Sequence, residues 1–275
     1  MRPTVHPVLA TTPMSNARNV LFVPHGAPTF ALNPGAAGAA LVQAAQSFAT
    51  PRAIVVVSPH WETVIPTVGT ATQLETIYDF GGFDKRLYDI RYPATGCPEA
   101  AKLVAQALQA QGLSVQLDPV RGLDHGAWVP LRHMFPDADV PVVPLSIQTD
   151  GGPAHAYRVG QALEVLAQHQ ILVVASGNVT HNLRDYGVAR MSGGQTPGYV
   201  HSFADWVHAR LLDYDLDALL DYRRASADGA RAHPSEDHFL PLFTALGAAG
   251  PQARAEAFFR GVSDYVIAMD GYRFH

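Results

Sequence analysis

Four short apolar runs punctuate the chain: Val20 to Val23, Ile54 to Val57, Val140 to Ile147 and Ile171 to Ala175. They are β-branched, aliphatic or aromatic, do not alternate with polar residues and are bounded by Pro, Gly or Ser, which is the pattern of strands buried on both faces. The first two are predicted to be central strands. Val140 to Ile147 is interrupted by Pro141 and Pro144 and is predicted nearer an edge. Between the runs, Ala36 to Ala49, Pro98 to Gln111 and Ala154 to Gln168 carry apolar residues at three- and four-residue spacing and read as helices, with Pro98 in a first turn that tolerates it. Gly198 to Tyr214 and His238 to Leu246 read as further helices, and Gly261 to Met269 as a late strand. Strands alternating with helices predict an α/β fold, a three-layer α/β/α single domain around a mostly parallel or mixed sheet. Met191 to Gly198 and Tyr78 to Arg91 read as surface loops able to cover a site.

A length of 275 residues suits one large α/β domain over residues 19 to 275, with 1 to 18 as a loose leader interrupted by Pro3, Pro7 and Pro13. The net charge of -5, with 19 Lys and Arg dispersed along the chain, offers no basic stripe for a nucleic acid. No run reaches the roughly 18 apolar residues a membrane span needs. The lone Cys97 fits a reducing, cytoplasmic setting. An oligomer is compatible with all of this.

The 13 histidines change the picture, because imidazole is the commonest metal ligand and three of them fall at strand ends. His25 follows the first run in Phe22-Val-Pro-His-Gly26, His60 the second in Val57-Ser-Pro-His-Trp61, and His181 the fourth in Ser176-Gly-Asn-Val-Thr-His181. Ligands of open α/β sheets bind beyond the carboxyl ends of strands. Each histidine alone could be a turn or packing residue; together they predict a shared divalent metal.

A second cluster, His233-Pro-Ser-Glu-Asp-His238, is predicted at a helix entrance, with Ser235 as cap and Glu236, Asp237 and His238 in the first turn. His125, in Gly122-Leu-Asp-His-Gly-Ala-Trp128, opens another helix; Asp124 is placed to orient its ring, and the flanking glycines would let a ligand approach. Trp61, Tyr78, Trp128 and Tyr199 are candidate pocket walls or core aromatics. A nucleophile elbow, a phosphate-binding glycine loop and the H-E-x-x-H zinc motif are all missing from the sequence.

Pro24-His-Gly-Ala-Pro28, Ser58-Pro-His-Trp-Glu62, Asp124-His-Gly-Ala-Trp128, Gly177-Asn-Val-Thr-His-Asn182 and His233-Pro-Ser-Glu-Asp-His-Phe-Leu-Pro-Leu242, in that order, resemble the motifs of the DOPA 4,5-dioxygenase-like (LigB-type) branch of class III extradiol dioxygenases. The resemblance runs from about residue 19 to the C-terminus. It implies metal ligands His25, His60 and His238, an acid/base role for His181, and substrate or oxygen contacts for His125 and His233, with His125 also catalytic. Glu236 and Asp237 are reserve ligands. It further implies Fe(II) as the working ion, Zn(II) as another ion that an all-histidine set would bind, and a small aromatic diol plus O2 as partners. Three ligands on one face leave positions open for a catecholate and O2, so that the ring opens beside its hydroxyls. A zinc hydrolase and a non-catalytic, Memo-like binding protein are the alternatives.

Overall fold

The computed structural model describes residues 20–275; the leader at 1–18 and His6 lie outside the described residues. Among the described residues ten strands form, at Val20–Pro24 (β1), Ala53–Glu62 (β2), Thr67–Gly69 (β3), Gln116–Asp118 (β4), Val142–Ile147 (β5), Ile171–Gly177 (β6), Ala255–Phe259 (β7), Val262–Ser263 (β8), Ile267–Ala268 (β9) and Gly271–Phe274 (β10). Ten α-helices accompany them among the described residues, at Gly35–Gln46 (α1), Pro98–Ala110 (α2), His125–Met134 (α3), Gly152–Leu163 (α4), Leu183–Met191 (α5), Gly198–Leu212 (α6), Leu216–Leu220 (α7), Tyr222–Ala225 (α8), Gly229–Ala232 (α9) and Leu240–Ala249 (α10).

Eight strands make one mixed sheet in the order β4-β3-β5-β2-β6-β1-β10-β7, while β8 and β9 form a separate small hairpin. The sheet's centre is parallel: β2 pairs with β5 and β6, and β6 with β1. Alternate residues face opposite layers. Phe22, Val55 and Val57 join a core with the apolar sides of α2, α4, α6 and α10, whereas Leu21, Val23, Ile54 and Val56 pack with α1 and α3. Helices on both faces explain why these strands read as unbroken apolar runs.

Three expectations change. β5 lies inside the sheet and is wholly buried, because β3 pairs with it at only one position, Val68 opposite Leu145, and Gly69 leaves room for the ring of Pro144. The late strand over Gly261 to Met269 resolves into the β8–β9 hairpin, and the sheet is closed on that side by β10 and β7, both antiparallel. No helix cap forms at Ser235: α10 starts at Leu240, since Pro241 has no N–H to bond back to residue 237. Residues 233 to 238 are instead a turn, with the Phe239 and Leu240 amides bonded to the Glu236 carbonyl.

Candidate active site

Histidines from four separate segments meet where parallel strands end. His25 follows β1, His60 lies near the C-terminal end of β2, His125 is the first residue of α3, and His238 precedes α10. His25 and His60 bring their Nε2 atoms to 3.3 Å of each other. The ring centroids of His25, His60 and His238 form a near-equilateral triangle, 5.2 Å for His25–His60, 5.2 Å for His25–His238 and 4.9 Å for His60–His238. With metal–nitrogen bonds of about 2.0–2.1 Å, two imidazoles on one ion have nitrogens roughly 2.9–3.4 Å apart and centroids about 4.5–5.2 Å apart, for right-angled to tetrahedral geometry. The ring centroids are thus spaced as three imidazoles around one ion would be. Among the described residues the histidines whose donor nitrogens all lie within 4.8 Å of one another are His25, His60 and His125, a set without His238. His125 is less regularly placed, with its ring 4.0 Å from His60 and 5.6 Å from His25.

Hydrogen bonds behind the rings set which nitrogen faces inward. Ser176 Oγ donates to the Gly126 carbonyl at 2.5 Å, so it accepts from His25 Nδ1 at 3.0 Å and leaves Nε2 with its lone pair. Asp79 Oδ2 accepts from His125 Nδ1 at 2.9 Å and lies 3.3 Å from His60 Nδ1, while its Oδ1 takes the His125 backbone N–H at 2.9 Å. Asp237 Oδ2 accepts from His238 Nδ1 at 2.5 Å. This is the carboxylate–histidine arrangement that fixes tautomer and ring orientation at metal sites. The two Nε2 atoms lie at hydrogen-bonding distance, 3.3 Å, and with the His60 proton on Nδ1 beside Asp79 both would turn a lone pair to one position, so the donor set fits a cation. The amide nitrogen of Asn178 also lies 3.3 Å from His25 Nε2, and its oxygen accepts the Gly26 N–H.

Burial keeps the imidazoles of His25, His60 and His238 neutral, the form that ligates. Desolvation, reinforced by the neighbouring histidines, holds His25 and His238 well below the usual histidine range. The same causes bring His60 down to about 4 against the pull of Asp124 and Asp79. Burial lowers His181 to about 4 as well. At Asp79 burial acts upward, but the hydrogen bond and charge of His125 carry the carboxyl down to about 2.

His60, His125, His181 and His238 open onto a cavity of about 560 Å³, within the range that holds a small aromatic ligand. His181 stacks on His238, with centroids 3.4 Å apart and planes 6° from parallel. Phe80 and Phe83, from the loop expected to cover the site, wall one side, and Leu183 and Tyr186 of α5 are also in the lining. Trp61, Tyr78, Trp128 and Tyr199 do not line it; Trp128, for one, is wholly buried with its indole N–H on the Ile77 carbonyl.

Other expected contacts also move. His233 does not reach the cavity: it is fully buried, donates from Nε2 to the Val179 carbonyl at 2.8 Å and stacks on Phe239. Asp124 does not orient the His125 ring; it caps α3 through the Ala127 amide and binds Ser58 and Arg121. The glycines near His125 serve close packing: a Cβ at Gly122 would meet the Glu75 backbone carbonyl, and one at Gly126 would meet the side chains of Ser58 and His60. Asp79, Ser176 and Asn178 were not singled out from the sequence, although Asp79 sits in the Tyr78 to Arg91 loop and the other two in the His181 segment.

Residues 37–274 match the family model described as the catalytic LigB subunit of aromatic ring-opening dioxygenase. The 4,5-DOPA dioxygenase extradiol of Beta vulgaris is 36% identical over 263 residues, covering 94% of this chain and 97% of the relative. The protein of the same name from Escherichia coli K12 is 36% identical over 251 residues, covering 88% of this chain and 89% of the relative. The crystal structure of an uncharacterized Escherichia coli K12 protein superposes with a TM-score of 0.76 at 29% identity, covering 94% of this chain and 100% of that one.

Proposed function

This chain belongs to the LigB family of aromatic ring-opening dioxygenases, metal-dependent extradiol enzymes, and from that premise we propose that it opens a DOPA-like catechol at an Fe(II) ion held by His25, His60 and His238. The near-equilateral triangle of those three rings beside the cavity is the observation that carries the ligand assignment. His125 is the competing third ligand, favoured by its short separation from His60. Bound there, a redox-active ion would hold the catecholate oxygens and pass electron density from the ring to O2.

The protein's own residues supply orientation and proton handling. Burial lowers His181 to about 4, so near pH 7 it carries a lone pair for a catechol proton, and the negative charge of a bound catecholate would raise its pKa toward the range in which it can hold and return that proton. Its stack on His238 holds it at the cavity edge. With its Nδ1–H committed to Asp79, His125 offers Nε2 as an acceptor to a catechol hydroxyl. Phe80 and Phe83 give the ring an apolar wall and reduce water near the reacting atoms. His233 acts at one remove, bracing the 177–181 segment through Val179. Among the described residues no helix is long and apolar enough to cross a membrane. The reading adds a cytoplasmic setting, a small aromatic diol and O2 as partners and no role for nucleic acid; an oligomer is compatible with it.

Anaerobic reconstitution with Fe(II), followed by oxygen uptake with a panel of catechols, tests the reaction; a yellow semialdehyde is expected. No uptake with any catechol, together with ester or amide hydrolysis by the Zn(II) form, would refute it in favour of a hydrolase. Equilibrium metal titration of His238→Ala and His125→Ala tests the third ligand: His238→Ala should lose far more affinity, and the reverse order would transfer the role to His125. His181→Ala should lower kcat while still binding metal, and unchanged turnover would remove its proton role.

A further inference from the structure

The histidines occupy one part of the cavity lining, and a catechol's hydroxyls belong with them. Its ring substituent then meets the rest of the lining, which has an uneven chemistry. Phe83, Leu183, Tyr186 and Ile267 are apolar or aromatic, and no Lys or Arg is among the described lining residues. Asp264 is the single carboxylate there. Its Oδ2 accepts from the Ser263 hydroxyl at 2.7 Å, and Asp264 enters no ion pair among the described residues.

The backbone holds Asp264 in place. It lies in the turn between β8 and β9, where Asp264 and Tyr265 are both left-handed, with φ of 49° and 63°. Asp adopts that conformation more readily than most residues; Tyr does so rarely, and such turns persist where the surroundings fix them. Here the Thr180 hydroxyl donates to the Val266 carbonyl at 2.8 Å and accepts the Ala268 N–H at 2.7 Å, and the Val179 N–H bonds the Ala268 carbonyl at 3.0 Å. The turn carrying Asp264 is thereby stapled to the segment carrying His181.

We infer that Asp264 is the specificity-determining residue for the substrate's side chain, and that the preferred catechols carry a protonated amine, as in a catechol-ethylamine or the α-ammonium of a DOPA-like amino acid. The inference rests on the ring-cleavage reading. The ammonium pairs with Asp264 in a lining that also holds Tyr186. A side chain ending only in a carboxylate meets like charge and finds no cation in the lining.

The test uses the metal-loaded enzyme without oxygen and three probes of similar size: dopamine, 4-ethylcatechol and 3-(3,4-dihydroxyphenyl)propanoate. Affinity should fall in that order, with about tenfold or more between dopamine and the propanoate, since a charge-assisted contact at a half-exposed carboxylate is discounted by solvent. In Asp264→Asn, whose side chain also tolerates the left-handed turn, that ratio should collapse toward one; Asp264→Lys should invert it. Binding of 4-ethylcatechol to each variant reports whether the cavity is still formed. A wild-type enzyme indifferent to probe charge, or an Asp264→Asn variant keeping the wild-type ratio, would overturn the inference. Oxygen admitted afterwards tests the reaction separately: charge-selective binding with no ring opening of any probe would refute the ring-cleavage reading and leave the Asp264 assignment standing.

Discussion

Asp79→Asn is expected to cost the enzyme far more than the exchange of an oxygen for an amide suggests. The carboxylate meets two separate demands: Oδ2 faces His125 Nδ1 at 2.9 Å and His60 Nδ1 at 3.3 Å, and Oδ1 accepts the His125 backbone N–H at 2.9 Å. An amide has one oxygen. If it faces the rings, its NH2 opposes the backbone N–H; if it faces the backbone, the NH2 opposes both ring N–H groups and drives them toward the wrong tautomer. Either way a half-buried donor meets a donor, and the inward Nε2 of His60 and His125 is no longer fixed.

Loss of such a partner behind a ligand weakens metal binding by about 10–100-fold, or about 1.4–2.7 kcal/mol. Asp237→Asn provides the contrast. Asp237 Oδ2 serves only His238 Nδ1, and Oδ1 is buried with no hydrogen-bond partner among the described residues. An amide can therefore turn its oxygen to the ring and its NH2 to the orphaned side, so a loss of only a few-fold is expected. Competition with a chromophoric chelator for Co(II) or Zn(II) measures both variants, and the Co(II) absorption band reports whether the ligand field survives. Wild-type affinity in Asp79→Asn, or an equal loss in both variants, would refute the reasoning from oxygen count.

Gly126→Ala should destabilise the fold by about 1–3 kcal/mol and disturb the site, because its Cβ would lie 2.4 Å from Ser58 Oγ and 2.8 Å from a His60 ring carbon; urea denaturation and metal titration check both effects, and wild-type values in each would count against the packing argument. The metal-free protein should lose stability as pH falls from about 6.5 toward 4. Burial depresses His25, His60, His181, His233 and His238 in the folded state, so over that window the unfolded chain binds more protons and each group contributes up to about 1.4 kcal/mol per pH unit. Unfolding free energies equal at pH 7 and pH 5 would contradict those directions. Zn(II)-loaded enzyme should not consume oxygen with any catechol, because zinc keeps one oxidation state, and exchange for Fe(II) should restore uptake at an oxygen electrode; equal rates with both ions would rule out a redox role for the metal.

The histidines were legible in the sequence and their partners were not, and the difference is physical. A parallel strand buried on both faces announces itself as a continuous apolar run, so the residues just past it, His25, His60 and His181, are positioned by the strand that precedes them. Asp79 follows no such rule: it lies in a stretch without regular periodicity, and its relation to His60 and His125 exists only once β2, α3 and that loop are packed. The same limit explains the other departures. Asp124 has the composition of a ring partner, but the helix it caps takes its Oδ1 first, through the amide of Ala127. β5 carries two prolines near it or within it and still runs inside the sheet, because its neighbour β3 makes only one paired contact and yields space at Gly69. His233 shares a motif with His238, yet the turn from 233 to 238 aims one ring into the aromatic cluster of Phe239 and the other toward His25 and His60. Sequence thus singled out histidines that the fold gathers, which depend on chain position, and left open the carboxylates beside them, which depend on packing between distant segments. Since those carboxylates decide which nitrogen each imidazole presents, the chemistry of the centre is a property of the folded loops as much as of the histidines themselves.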